Sequence, residues 1–152
     1  MLYRVFGRSG TEVTPAELLE HLHSAGERVT GNFRGDDLGW TSGELSLPSG
    51  GSPLVIERYL CDADEIRQEL NTWAAWLETA DYSPNNTVLM ERVIQTKQLF
   101  ALRRPIDHPD EAALERVCDA VSKLLAARTD GVYQIDDKGF FDENGGVLLE
   151  EY

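Results

Sequence analysis

The chain has only two cysteines and two methionines in 152 residues, and its 14 basic side chains are outnumbered by 27 acidic ones. Cys61 and Cys118 lie far apart among apolar or helical neighbours, so they form neither a disulfide framework nor a zinc ligand set, and buried free thiols are expected. The scarcity of positive charge leaves a formal net charge of -13. Such a surface repels a phosphate backbone, and Arg103-Arg104, the sole adjacent basic pair, is too small a patch to reverse that; no nucleic-acid partner is expected. No apolar run approaches the roughly 18 residues of a membrane span, which excludes a spanning helix. Residues 1–7 lack a basic segment followed by a long apolar one, so a cytoplasmic protein is expected.

Chemical signatures are equally scarce. There is no Gly-x-Ser-x-Gly elbow, no Gly-x-Gly-x-x-Gly after a strand and no Walker loop, so the glycine-rich segments read as turns. His21 and His23, two apart on a helix, point in nearly opposite directions and cannot share a metal, and His108 has no partner nearby in sequence; all three read as surface histidines. A calcium loop fails from each of its possible starts, because Asp136 would place Lys138 third, Asp137 would place Gly139 third, and Asp142 would run past Tyr152. The doublets Asp36-Asp37 and Asp136-Asp137 put neighbouring carboxylates on opposite sides of a strand, which is not the geometry of an acid–base dyad. No catalytic residue, metal ligand or cofactor is assigned.

What is present is an ordinary globular composition, 41% hydrophobic and 27% charged, and a length that suits a single domain over 1–152. A strand is expected over 2–6. Thr14-Pro15-Ala16-Glu17 supplies a capping hydroxyl, a proline at the first helical position and a glutamate two residues on, which predicts a helix over 15–25 closed by Gly26. Three antiparallel strands follow at 29–33, 40–47 and 54–61, separated by glycine-rich turns. Asp62 and Glu65 repeat the capping logic, and Ile66, Leu70, Trp73 and Leu77 recur at helical spacing, predicting a helix over 63–79. The apolar residues of 88–104 fit both helical and strand periods, and the reading favoured is a short helix to Gln95 and then a strand through Leu102. Pro109 opens a helix with Asp110 and Glu111 in its first turn, ending near Arg128. A strand over 131–135 and a hairpin over 140–149 around Asn144-Gly145 complete the chain.

Set side by side, the two ends read as pseudo-duplicated β-α-β-β units with a long linking helix. The order lacks strict β-α alternation, so the expected class is α+β, an antiparallel sheet covered on one face by helices.

The remaining signals concern surfaces. Trp40, Trp76 and Tyr82 are large aromatics where core packing does not obviously require them, and such residues anchor interfaces or line pockets. From Asp130 to the end, seven acids, among them Asp136, Asp142 and Glu143, face only Lys138. An acidic edge of this kind meets a basic partner or protects an exposed strand. The stretch Leu124-Leu125-Ala126, Thr129 to Asp136 and Gly139-Phe140-Phe141-Asp142 resembles the ending of small bacterial α+β proteins, some of them similar to immunity proteins of toxin systems. The repeated strand–helix–strand–strand order is similar to effector-binding domains of the gyrase-inhibitor type; that resemblance implies small-molecule or protein binding and assigns no residue. The favoured reading is a bacterial module that binds a basic protein partner, immunity-like or regulatory. The alternatives are a small-molecule effector-binding domain using Trp40 or Tyr82, and an enzyme whose carboxylates converge from distant segments. Exposed hairpin edges also admit a homodimer.

Overall fold

The computed structural model describes residues 2–152, apart from the side chain of Asp64. The chain runs β1 (Leu2–Gly7), α1 (Pro15–Ser24), β2 (Thr30–Asp36), β3 (Gly39–Ser46), β4 (Leu54–Leu60), α2 (Asp64–Thr79), α3 (Asn86–Ile94), β5 (Gln98–Arg103), α4 (Glu111–Arg128), β6 (Gly131–Ile135), β7 (Gly139–Phe141) and β8 (Val147–Glu150). The strands form one antiparallel sheet in the order β2-β3-β4-β5-β1-β6-β7-β8. This is the expected α+β class. No helix among the described residues is long and apolar enough to cross a membrane.

The caps decide where the helices begin. Thr14 Oγ1 accepts the Glu17 N–H at 3.1 Å with Pro15 at the helix start, and Gly26 leaves the helix at φ +86°, as the sequence pattern requires. In α4 the cap is Asp110, whose Oδ1 accepts the Ala113 N–H at 3.1 Å, so Pro109 lies outside the helix. The capping logic at Asp62 fails. The α2 N-cap is Ala63, with no side-chain hydrogen bond, and this helix forms through the apolar face that it buries.

That burial corrects the expectation of a sheet covered on one face. Tyr3 and Val5 of β1, Phe100 and Leu102 of β5, and Tyr133 and Ile135 of β6 form a core with α1 and α4. Phe6, Leu99 and Val132 from the same three strands point the other way and form a second core with α2 and α3. Strict alternation through strands whose residues are nearly all buried requires cover on both faces, and each large apolar side chain so buried contributes about 1.5–3 kcal/mol.

The linking segment is two helices, α2 and α3, packed in the same core. A strand, a helix and three strands recur along the chain, but the sheet places them differently. The meander β2-β3-β4 runs inward from an edge, whereas β6-β7-β8 runs outward to the opposite edge.

Candidate functional site

The two sheet edges differ. β2 is exposed along most of its length, and its outer side has no strand partner. On β8 the loop between α2 and α3 seals the outer edge: Asn85 Nδ2 donates to the Leu148 carbonyl at 2.7 Å, and Tyr82 Oη donates to the Glu150 carbonyl at 2.6 Å. Sealing removes the acceptors that an added strand would use, so anything that docks here meets side chains.

Those side chains are unusually apolar. Tyr82, Val88, Val147 and Tyr152, four of the seven exposed large hydrophobic residues among the described residues, lie on this α3–β8 side. Tyr82 and Tyr152 meet edge to face with ring centroids 5.3 Å apart. Beside them a cavity of about 220 Å³ opens between α3 and the sheet, walled by Val88, Leu89 and Leu148, with Arg92, Asp142 and Glu143 also at its margin. Asp81, Glu143 and Glu150 are exposed nearby in sequence on the same elements.

Of the candidates that the sequence offers, Asp142 and Glu143 border this cavity beside the β7–β8 turn, while Tyr82 stands at the other end of β8 against the Glu150 carbonyl. Asp142 also shapes the β7–β8 turn, because its Oδ1 accepts the N–H groups of Asn144 at 2.9 Å and Gly146 at 2.8 Å. Trp76 is half-buried one strand further in, stacked on Phe140 with centroids 6.3 Å apart and edge-on to Trp73 at 6.0 Å. Asp136 sits behind that pair. It binds Arg4 Nη1 at 2.6 Å, and Arg4 in turn lies over the Trp73 ring, 5.0 Å from its centroid. Trp40 is not at the surface. It is 5% exposed and donates Nε1–H to the Val13 carbonyl at 2.7 Å, so it serves the core.

Comparison with protein-family models, curated proteins and solved structures finds no match.

The histidines and thiols follow from burial. His108 is buried, not exposed as its sequence position suggests, because the loop after β3 packs on it; its Nδ1 accepts the Asp110 N–H at 3.0 Å. Cys61 and Cys118 are free and buried, and burial pushes their thiols up to about 11 and about 12, where they are poor nucleophiles at neutral pH. Among the described residues no group of three or more His, Cys, Asp or Glu side chains is placed to hold a metal ion. Val88, Val147 and Tyr152 are absent from the sequence-derived candidates. The one available signal is Val147 on the open face of a terminal hairpin strand.

Four carboxylates set the response to pH. Burial raises the pKa of Asp119, with help from Glu115, and burial likewise raises that of Glu151. Hydrogen bonds from Tyr59 and Arg103 lower that of Glu57. For Asp136 burial acts upward, but hydrogen bonds from Arg4, the Leu2 N–H and Gln134 outweigh it and the pKa falls. The raised pair gives stability that is fully present below the ordinary carboxylate range and lost as pH rises through the folded pKa. The lowered pair gives stability present above that range and lost as pH falls. Thermal unfolding between pH 3 and 8 should therefore show Tm rising as pH drops from neutrality into the ordinary carboxylate range, then falling as it drops below that range. The double variant Asp119→Asn, Glu151→Gln should flatten the upper limb, and an unchanged limb would assign it to overall charge instead.

Proposed function

We propose that the protein is a binding module that docks a basic protein partner on its α3–β8 side, as an immunity-like or regulatory protein would. The observation that carries the reading is the exposure of Tyr82, Val88, Val147 and Tyr152, on the α2–α3 loop, α3, β8 and the segment after it, together with exposed Glu143 and Glu150 in a chain of net charge -13. Aromatic and aliphatic anchors within a charged rim are the common anatomy of a protein interface: the anchors supply affinity and the rim supplies steering and choice of partner. The sealed β8 edge directs the partner to side chains and away from strand addition, which is also why the module need not aggregate through this edge.

The test is capture from a nuclease-treated lysate of the native host, with wild-type protein and the variant Val147→Ser, Glu143→Lys, Tyr152→Ala run in parallel. All three positions are exposed, so folding should be unaffected, as circular dichroism will verify. Wild type should retain a stoichiometric basic protein at about 0.1 M salt, release it near 1 M as charges are screened, and the variant should retain at most about a tenth as much. Equal retention by variant and wild type, or no partner at either salt, would overturn the reading.

A further inference from the structure

The sheet divides at the far end from this surface. β3 and β4 pair from Leu45 opposite Leu54 to Ser42 opposite Glu57, and there they part. Beyond that point β3 stays paired with β2 as far as Gly39 opposite Asp36, while β4 stays paired with β5 as far as Leu60 opposite Gln98. The result is a fork in the sheet, with the β3 side of residues 58–60 lacking a ladder partner.

A charge lies at the root of the fork. Arg58 is 7% exposed and is the only arginine buried to this degree among the described residues. Its Nε donates to Gln98 Oε1 at 2.9 Å, and Nη1 donates to the carbonyls of Leu38 at 3.2 Å and Trp40 at 3.0 Å. These bonds use the inner side of the guanidinium and pin the β2–β3 turn across the fork. Nη2 donates to nothing among the described residues, and none of their carboxylates lies within ion-pair distance of Arg58. Glu12, which shares the space beside Gly39 with Arg58, also stays beyond that distance. Nη2 is not among the fully buried polar atoms that lack a partner, so this edge of the guanidinium is open to solvent. Arg4, Arg8, Arg103 and Arg104, all more exposed, each have a carboxylate partner. Among the described arginine side chains, Arg58 alone combines this depth of burial with the absence of a carboxylate partner.

Above Arg58 the fork opens as a cleft of about 460 Å³, within the range of small-molecule sites. Leu38, Leu60 and Ile66 supply apolar wall. The first turn of α2 borders it, and that helix starts without a side-chain cap, so its positive end adds to the field of the guanidinium. Asp36, Asp62 and Glu65 also line the cleft, and Asp62 and Glu65 are exposed. A purely anionic ligand would meet these carboxylates as like charges, and a purely cationic one would meet Arg58.

We infer that this cleft binds a small zwitterion with an apolar body, its carboxylate accepting from Arg58 Nη2 and its ammonium facing Asp62 and Glu65. The site is independent of the α3–β8 surface, with which it shares no residue. Carboxylate capture at Nη2 satisfies N–H groups that no described residue accepts. The apolar body covers Leu38, which is 67% exposed.

The test uses a set of matched probes, 6-aminohexanoate, hexanoate and hexylamine, together with L-leucine and sulfate, in titrations followed by amide chemical shifts and calorimetry. At least one zwitterion should bind, with shifts confined to residues around 36–41 and 58–66, about tenfold more tightly than hexanoate, hexylamine or sulfate. Thr41 is exposed on β3 at the cleft, so Thr41→Trp should fill the cleft and abolish binding without lowering Tm. Arg58→Gln should weaken binding about 10- to 100-fold, the usual worth of a charged hydrogen bond. If Arg58→Gln fails to fold, Thr41→Trp decides alone. The inference is overturned if neither zwitterion binds, if hexylamine or sulfate binds as tightly, or if Thr41→Trp leaves binding unchanged.

Discussion

Replacing Phe140 with alanine is expected to cost about 3–5 kcal/mol of stability, among the largest losses available to a single substitution in this chain. The ring is fully buried in β7 and stacks on Phe6 of β1 at 5.9 Å and on Trp76 of α2 at 6.3 Å, with Trp73 edge-on at 5.8 Å. It joins three elements that are distant in sequence, so the cavity left by alanine cannot be closed by a local shift of one loop. Centroid spacings near 6 Å also mean that aromatic pair terms of about 0.5–1.5 kcal/mol each are lost together with the buried area. Urea unfolding followed by tryptophan fluorescence reads this directly, because two of the three tryptophans touch the ring. A loss under about 1 kcal/mol would show that α2 does not depend on β7 for its seat. The same variant should weaken partner capture, since β7 carries β8, whereas zwitterion binding at the fork should persist wherever the chain remains folded.

Trp40→Ala is expected to cost a similar amount, about 3–5 kcal/mol, in the opposite core. The indole lies between Phe33, edge-on at 5.3 Å, and Phe100 at 5.8 Å. Trp40→Phe separates the two contributions. It keeps most of the apolar contact and removes the donor to the Val13 carbonyl, leaving a buried acceptor unpaired at a cost of about 1–3 kcal/mol. The order wild type, then phenylalanine, then alanine in denaturation midpoint is the expected result. An alanine variant within about 0.5 kcal/mol of wild type would return Trp40 to the surface role that its sequence position suggests.

Trp40 and Trp76 together explain why an aromatic's place is legible in a helix and hidden in a strand. In a strand, burial depends on which face is covered, and with helices expected on one face only, half of the strand positions are assigned to solvent. Trp40 falls among them, although Phe33, Phe100 and the Val13 carbonyl meet it and it belongs to the core under α1 and α4. In a helix the apolar stripe itself marks the margin, so Trp76, one position before Leu77, reads from the sequence as the edge of the α2 core, where it lies. The hydrogen-bonded roles of Asp142 and Asp136 divide similarly. Asp142 binds amides two and four residues away, which turn chemistry makes legible, whereas the Arg4 that binds Asp136 is 132 residues away.

By itself the sequence determined the element order, the α+β class, the acidic surface and the burial of both cysteines. Each of these follows from local periodicity, capping side chains or composition, which act over a few residues. Only the tertiary structure decided that both faces of the sheet are covered, that Tyr82 and Asn85 seal β8, and that Arg58 stands at a fork with no counter-charge among the described residues. These depend on strand order and register, and the contacts that set them join residues 18 to 68 positions apart. A periodic pattern fixes which face of an element is apolar; the neighbour that meets it is chosen by long-range packing, where free energy depends on shape and not on spacing.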